Sequence, residues 1–482
     1  MSNKNEDSTE KIMAVFSEIC KIPRPSGHEE KMKQYLVDFA ISHNLAYKTD
    51  DTGNVLICKP AYRGMEKKPT VILQAHQDMV CEKEATLEHD FMTDPIETYV
   101  EDGWLKAKGT TLGADDGMGI AMALAILADS SLRHGPVECL FTVSEETGLC
   151  GAENLQQGMM NGSMLINLDS EDEGEIFIGC AGGVNSEITF EYTPEPVPDG
   201  YFFIKAGVDK LHGGHSGDDI DKGYANANKI LARFLYQAME KFDVKLCSFN
   251  GGNLHNAIPR DACAVIAIPA SVKESIRIDF NIYADTIQRE FHCTEKEMEF
   301  KMESYDPQEF CIESSVAGNF IAALHGAANG VFAMSMDVPG LVETSSNLAS
   351  VRTEENRIRL IASHRSSIES AKWCMASTLA ATFKLAGAKV THGEGYPGWT
   401  PNTDSKLLEI SVATYRKLFR KEPKVRAIHA GLECGLFLKS YPNLDMISIG
   451  PTLRGVHSPS ERLELRTVDM VFRHLKAILE AV

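Results

Sequence analysis

Apolar runs along the chain repeatedly end on acidic or imidazole side chains. Val71-Ile72-Leu73-Gln74-Ala75 leads into His76-Gln77-Asp78, and Val137 to Val143 leads into Ser144-Glu145-Glu146. Met164 to Leu168 stops at Asp169, and Met446 to Ile449 precedes Gly455-Val456-His457. Short apolar runs bounded by polar turns fit strands buried on both faces, as in a parallel sheet. A fifth group, Asp115-Asp116, stands where the loop from Thr110 meets a helix-forming run, Met118 to Ala128. Open α/β sheets bind ligands at the carboxyl ends of their strands. The pattern therefore predicts an α/β domain with His, Asp and Glu gathered at one sheet edge. His76 and Asp78, two residues apart at an extended strand end, point the same way.

Four of these groups lie before about Gly183 and the fifth near His457, so a long stretch interrupts the sheet. Gly179 to Gly183 reads as the outgoing hinge and Gly393 to Gly398 as the return. Between them Val184 to Glu191 and Cys263 to Pro269 read as strands, and Ala225 to Phe242 and Ile368 to Leu385 as long helices. Thr193 to Asp199, with three prolines, reads as a loop. The organisation expected is a discontinuous domain, 1–183 and 396–482, carrying an inserted α+β domain, 184–395. No internal repeat stands out by inspection.

A chain of 482 residues is too long for one compact core. Its 48 basic against 68 acidic residues argue against a nucleic-acid or anionic-membrane surface. Twelve cysteines without a C-x-x-C pair read as reduced thiols of a cytosolic protein. Cys180 and Cys434, close to the acidic segments, read as packing residues. The first ten residues are polar and acidic, unlike a signal peptide, and no run is long enough to span a membrane.

Taken singly, each acidic group has a plain explanation: a solvated Glu-Glu, a surface His beside an N-capping Asp, an Asp pair capping a helix. Their coincidence at five sites points to chemistry. Carboxylates and imidazoles suit zinc, cobalt or manganese, and two such ions about 3.5–4 Å apart can clamp a hydroxide and polarise a carbonyl. A carboxylate held as a ligand is a poor proton acceptor, so a Glu pair can divide into one ligand and one base.

The set His76-x-Asp78, Gly113-Ala114-Asp115-Asp116-Gly117, Glu145-Glu146-Thr147-Gly148, Asp169 and Gly455-x-His457-Ser458 resembles the dinuclear-zinc aminoacylase/carboxypeptidase family of metallopeptidases. Further segments tighten the likeness to that family's carnosinase-like branch, the aminoacyl-histidine dipeptidases. They are Ile22 to Glu30, Leu211 to Gly217, Gly251 to Arg260, Tyr396-Pro397-Gly398-Trp399 and His429 to Gly435. The likeness runs in order from Ile22 almost to the last residue.

The resemblance implies a zinc-peptidase-like catalytic domain, a mixed sheet flanked by helices, with an inserted α+β lid that is doubled in relatives. It implies two divalent metal ions, zinc with cobalt or manganese able to substitute. His76, Asp115 and Asp169 would hold one; Asp115, Glu146 and His457 the other. Asp115 would bridge them across a cis peptide to Asp116, and Asp78 would orient His76. Glu145 would be general base and then acid. His215, a loop histidine on spacing alone, would donate to the oxyanion by lid closure or from a partner subunit. A homodimer through the lid follows from the same likeness.

Asn256, Arg260 and Arg365 are candidates for gripping a substrate carboxylate, with a structural ion pair the rival for Arg260. Glu433 is the candidate for a substrate α-ammonium. His255 stands where some relatives carry Arg, which leaves pocket preference open, and no expected metal ligand is missing. The function expected is hydrolysis of unblocked dipeptides, Xaa-His among them, with no nucleic-acid or membrane partner. Alternatives are an N-acyl-amino-acid amidohydrolase or carboxypeptidase of the same architecture, or a catalytically silent binding protein.

Overall fold

In the computed structural model, which describes residues 3–482, strand Val71–His76 is buried along its whole length. It pairs in parallel with Val137–Thr142 on one side and Met164–Asn167 on the other. Asp445–Ser448 lies parallel to Met164–Asn167. Four adjacent strands therefore end at one edge. Ala46–Thr49 and Val55–Lys59 extend this mixed sheet on one flank, and Glu175–Cys180 and Lys424–Ile428 on the other.

Strands buried on both faces need apolar cover on both. Ile12 and Phe16 of helix Asn3–Ile19, Met32 and Leu36 of Glu30–Ser42, and Ile120 and Leu124 of Ala114–Ala128 join Leu73, Phe141, Ile166 and Ile447 in one core. Helix Leu465–Ala481 adds Val468, Val471, Phe472, Leu475, Ile478 and Leu479, the i, i+3, i+4 stripe of an amphipathic helix. Each such side chain contributes roughly 1.5–3 kcal/mol when fully buried. No helix among the described residues is long and apolar enough to cross a membrane.

The chain forms two compact units. The first runs to Cys180 and resumes over Trp399–Ala427 and Leu432–Val482; the second is Ala181–Gly398 with Ile428–Gly431. Within the first, Cys180 and Trp399 exchange two backbone hydrogen bonds; within the second, Gly183 and Tyr396 do the same. A Cβ on Gly182 would stand 2.4 Å from the backbone nitrogen of Gly398. Only glycine fits this ribbon.

The second unit is built on a sheet with helices Ala227–Lys241, Lys273–Glu290, Ser314–Gly326 and Glu369–Leu385. Its strand order hides a duplication. Tyr201–Asp209, Lys245–Gly251, Ala262–Pro269 and Glu299–Ser304 occur in the chain as βαββαβ, and in space the fourth lies beside the first, then the third, then the second. Gly182–Glu191, Val342–Thr353, Arg357–Ser366 and Lys389–His392 repeat that order in mirror sequence across the sheet. The copies join where Lys245–Gly251 meets Val342–Thr353, at Gly251 and Val351. The first copy is inserted after the first strand of the second, which is why no repeat is visible along the sequence.

The helices expected over 225–242 and 368–385 are Ala227–Lys241, whose N-cap Asn226 accepts from the Lys229 N–H, and Glu369–Leu385. The proline-rich loop expected over 193–199 differs. Pro194–Pro196 is a short strand paired with Phe310–Ile312. It needs little donor capacity in a two-stranded ribbon, and the Glu195 carboxylate accepts from the Ser314 N–H, 3.1 Å, at the start of helix Ser314–Gly326.

All twelve cysteines are free thiols. Three histidines are buried as neutral rings: burial pushes His364 down to about 3, and His429 and His474 down to about 4. His474 Nε2 donates to the Ser411 carbonyl at 2.9 Å. The unfolded chain protonates such rings near 6.5 and the native state only near these lower values. Their stability contribution is thus complete above about pH 6.5 and lost as pH falls toward 4. Each such ring adds up to one proton to the uptake on unfolding, and so to the slope of urea-measured stability between pH 7 and pH 4.5. His474→Gln should remove one proton's share of that slope; an unchanged slope overturns the assignment.

Candidate active site

The carboxyl ends of the parallel strands carry the acidic groups. His76 closes its strand, Glu145 and Glu146 follow Val137–Thr142 through Ser144, and Asp169 lies two residues past Met164–Asn167. Asp115 and Asp116 begin helix Ala114–Ala128 and are joined by a cis peptide bond. Ser144 and His457 have φ of 50° and 59°, left-handed values that a non-glycine residue adopts at a cost. Both sit where a turn aims functional side chains.

Asp115 is central. Its Oδ1 stands 2.9 Å from His76 Nε2 and its Oδ2 3.2 Å from His457 Nε2. His76 Nε2 is also 3.5 Å from Asp169 Oδ1, and His457 Nε2 is 3.0 Å from Glu146 Oε1. Each oxygen of one carboxylate thus faces its own histidine–carboxylate pair. Glu145 offers an oxygen to the cluster of His76 and Glu146, and Asp116 to that of His76 and Asp169, each within 4.8 Å. Asp116 is the less available, because its oxygens accept from the N–H groups of His76 and Gly119.

These donors fit divalent cations. Glu146 Oε1 is buried with no hydrogen-bond partner although His457 Nε2 is 3.0 Å away. The two atoms approach without the alignment of a hydrogen bond, as ligand atoms aimed at a common centre do. Burial, with neighbouring carboxylates, drives Asp169 and Glu145 well up. The nearby carboxylates of Asp115 and Glu146 raise His457 to about 11. The cluster takes up positive charge in any form offered.

A frame of hydrogen bonds holds these groups. Asp78 accepts from the N–H groups of Glu145 and Glu146 at 3.0 and 3.2 Å and from Ser26 Oγ at 2.7 Å, while its Oδ1 lies 3.3 Å from His76 Nδ1. Burial alone would raise Asp78; these bonds and His76 bring it down to about 2. Glu29 accepts from Ser144 N and Oγ. Buried Arg24 donates to the carbonyls of Gln77, Asp78 and Gly113. Arg24 and Glu29 had no role assigned from the sequence. The signal was present in Ile22 to Glu30, from which Arg24, Ser26 and Glu29 all reach the site.

Below the rim, Gln74, Asn167 and Ser448 stand in register on neighbouring strands and bond in series, 2.6 and 2.5 Å. Gln74 and Thr142 both donate to Glu433 Oε2, at 2.6 and 2.9 Å. Glu433 is buried, its Oε1 has no partner, and burial raises it to about 7. Cys180 and Cys434 are buried thiols, raised by burial, with the character of packing groups.

The remaining sequence candidates cluster in the second unit. Arg365 donates from Nη1 to the Tyr396 hydroxyl at 3.0 Å, and its Nη2 lies 3.4 Å from His215 Nε2. Its buried Nε has no partner. His215 Nδ1 lies 3.2 Å from the Asp218 backbone nitrogen and 3.5 Å from the Asp218 carboxylate. The guanidinium and the imidazole therefore sit side by side. Asn256 and Arg260 shape the same turn: the Asn256 carbonyl accepts from Ser216 N, and Arg260 Nε donates to the Leu211 carbonyl. Beside Arg365 is a cavity of about 130 Å³ lined in part by Asn185, His255, Ser363 and Tyr396.

Comparison with known proteins agrees with this geometry. The family model described as Peptidase family M20/M25/M40 matches residues 72–481. The chain is 42% identical to the cytosol non-specific dipeptidase of Escherichia coli K12, over 100% of this chain and 99% of that one. It is similar to the crystal structure of aminoacylhistidine dipeptidase from Vibrio alginolyticus, with TM-score 0.91 and 42% identity over 98% and 96% of the two chains. Human carnosine dipeptidase 1, 11% identical with TM-score 0.52 over 99% and 97%, shares the fold.

Arg24→Met should leave the Gln77, Asp78 and Gly113 carbonyls without their charged donor. Urea unfolding of the metal-free protein should show a loss of about 3 kcal/mol, with Arg24→Lys losing less. A loss within experimental error would remove Arg24 from the frame.

Proposed function

The chain belongs to peptidase family M20/M25/M40, a metal-dependent family of hydrolases, and from that premise we propose that it hydrolyses unblocked dipeptides, Xaa-His among them. The observation that carries the reading is Asp115, with one oxygen toward His76 and Asp169 and the other toward His457 and Glu146. These five residues would hold two divalent ions, zinc with cobalt or manganese able to substitute, with Asp115 contributing to both sites. Such ions, when bound, polarise a carbonyl and make water acidic enough to be deprotonated near neutrality.

Glu145 takes a proton from the attacking water and delivers it to the leaving amine as the C–N bond breaks, so two free amino acids result. Asp78 holds the turn in which Glu145 sits and orients His76. His215 serves as oxyanion donor, a contact worth about 3–4 kcal/mol. Arg365, whose partners are neutral, takes the substrate carboxylate; Asn256 and Arg260 shape the turn beside it. The free Oε1 of Glu433 is the group assigned to the α-ammonium. The names of the 42%-identical relatives support dipeptides, and a C-terminal histidine in particular, as substrates. A homodimer through the second unit and a cytosolic location complete the proposal.

Release of free amino acids from Ala-His, Ala-Ala, a tripeptide and acetyl-His, with and without chelator, tests it. Cleavage of the dipeptides alone, lost on chelation, is expected; cleavage of acetyl-His with the dipeptides untouched would move the assignment to an aminoacylase. Glu145→Ala should abolish turnover while retaining the metal content of the parent protein, and full turnover would sink the mechanism. Arg365→Lys should raise KM for dipeptides by more than it lowers kcat, because a lysine cannot form the bidentate pair.

A further inference from the structure

Glu461 is 3% exposed, and backbone N–H groups meet both of its carboxylate oxygens. Oε2 accepts from Leu112 at 2.7 Å and Gly113 at 3.0 Å; Oε1 accepts from Ala114 at 2.9 Å and Asp115 at 3.3 Å. These four consecutive donors form the turn that delivers Asp115 and the opening of helix Ala114–Ala128. N–H groups at that position have no partner inside the helix, and a carboxylate is the strongest acceptor available to them.

The other end of the contact lies in the His457 turn. Glu461 follows His457 by four residues, and the segment between is folded tightly. Ser458 Oγ bonds to the Gly455 carbonyl at 2.6 Å and to Ser460 Oγ at 2.7 Å, and the Glu461 N–H bonds to the Ser458 carbonyl at 3.0 Å. A Cβ on Gly455 would meet Ser460 Oγ at 2.7 Å. One side chain thus ties together two turns whose residues Asp115 and His457 are 342 positions apart. Arg24 grips the same Leu112–Asp115 turn through the Gly113 carbonyl.

Adding a carboxylate to a cluster already crowded with them is electrostatically unfavourable. The four N–H bonds offset that cost only in this geometry, so the group serves as a spacer rather than as a source of charge. We infer that Glu461 is a positioning residue of the metal centre: it sets the place of Asp115 relative to His457, and with it the affinity for the ion that these two share with Glu146. This rests on the metal assignment proposed above.

The test is a titration of chelator-stripped protein with cobalt(II), followed by its visible absorption and by calorimetry, with melting of the metal-free protein recorded alongside. The parent protein should take up two equivalents. Glu461→Gln keeps the size but sets an NH2 against two N–H donors. It should weaken one equivalent 10- to 100-fold, the usual effect of losing a ligand's support, while the metal-free melting temperature moves by only a few degrees. Glu461→Asp, which keeps the charge on a shorter arm, should fall between the two. Unchanged affinity for both equivalents in Glu461→Gln overturns the inference, even where turnover falls. If Glu461→Gln does not fold, Glu461→Asp decides by the same criterion. No cobalt uptake by the parent protein would instead overturn the metal assignment itself.

Discussion

Negative charge confined at the buried end of a parallel sheet is the constraint around which the first unit is organised. Two carboxylates about 4 Å apart repel by roughly 4 kcal/mol at the effective dielectric of a protein's outer layers, and by more where water is excluded. Asp78, Asp115, Asp116, Glu145, Glu146 and Asp169 nevertheless crowd around His76 and His457. The structure resolves this by sorting the acids into two groups. Asp78, Asp116, Glu29 and Glu461 are satisfied by backbone N–H donors. Asp115, Asp169 and Glu146 are left facing histidines. The first group fixes turns; the second keeps its oxygens turned toward the histidines.

That sorting depends on the sheet below. Parallel strands present their last residues at nearly the same height, so a row in register becomes a shelf. Gln74, Asn167 and Ser448 form it, bonded side chain to side chain across neighbouring strands. Buried polar groups are tolerable only when their bonding is complete, and such a row then resists sliding of one strand past another. His76 and Asp169 each lie two residues beyond a member of the row. Their relative position is therefore set by bonds that contain neither of them.

Much of this was legible in the sequence because it follows from periodicity. Buried parallel strands read as continuous apolar runs, and the acids that end them at His76, Glu145, Glu146 and Asp169 needed no tertiary information. Arg24 and Glu461 were not legible as supports. Their partners are backbone atoms of Gln77, Asp78 and Leu112 to Asp115, and backbone groups leave no residue-type signature. The short strand Pro194–Pro196 was hidden for a related reason. Its prolines signal a break locally, and only pairing with Phe310–Ile312, more than a hundred residues on, makes it a strand.

The duplication inside the second unit bears on how its pairing of His215 with Arg365 arises. His215 follows Tyr201–Asp209, the first strand of one βαββαβ copy, whereas Arg365 lies on Arg357–Ser366, the third strand of the other. A single copy would supply only one of the two side chains. Joining the copies edge to edge through Gly251 and Val351 places strands of both in one sheet. It brings the Arg365 guanidinium and the His215 ring to 3.4 Å. Gly330–Met334 pairs with Val342–Thr353 beside the main strand path, whose ends are Glu299–Ser304 and Lys389–His392. Those carry Glu299, Lys301, Glu303 and Lys389, the charged residues that discourage further strand pairing. Duplication in one chain thus brings together side chains that neither half contains alone, and Tyr396, returning beside Gly183, accepts from the Arg365 guanidinium.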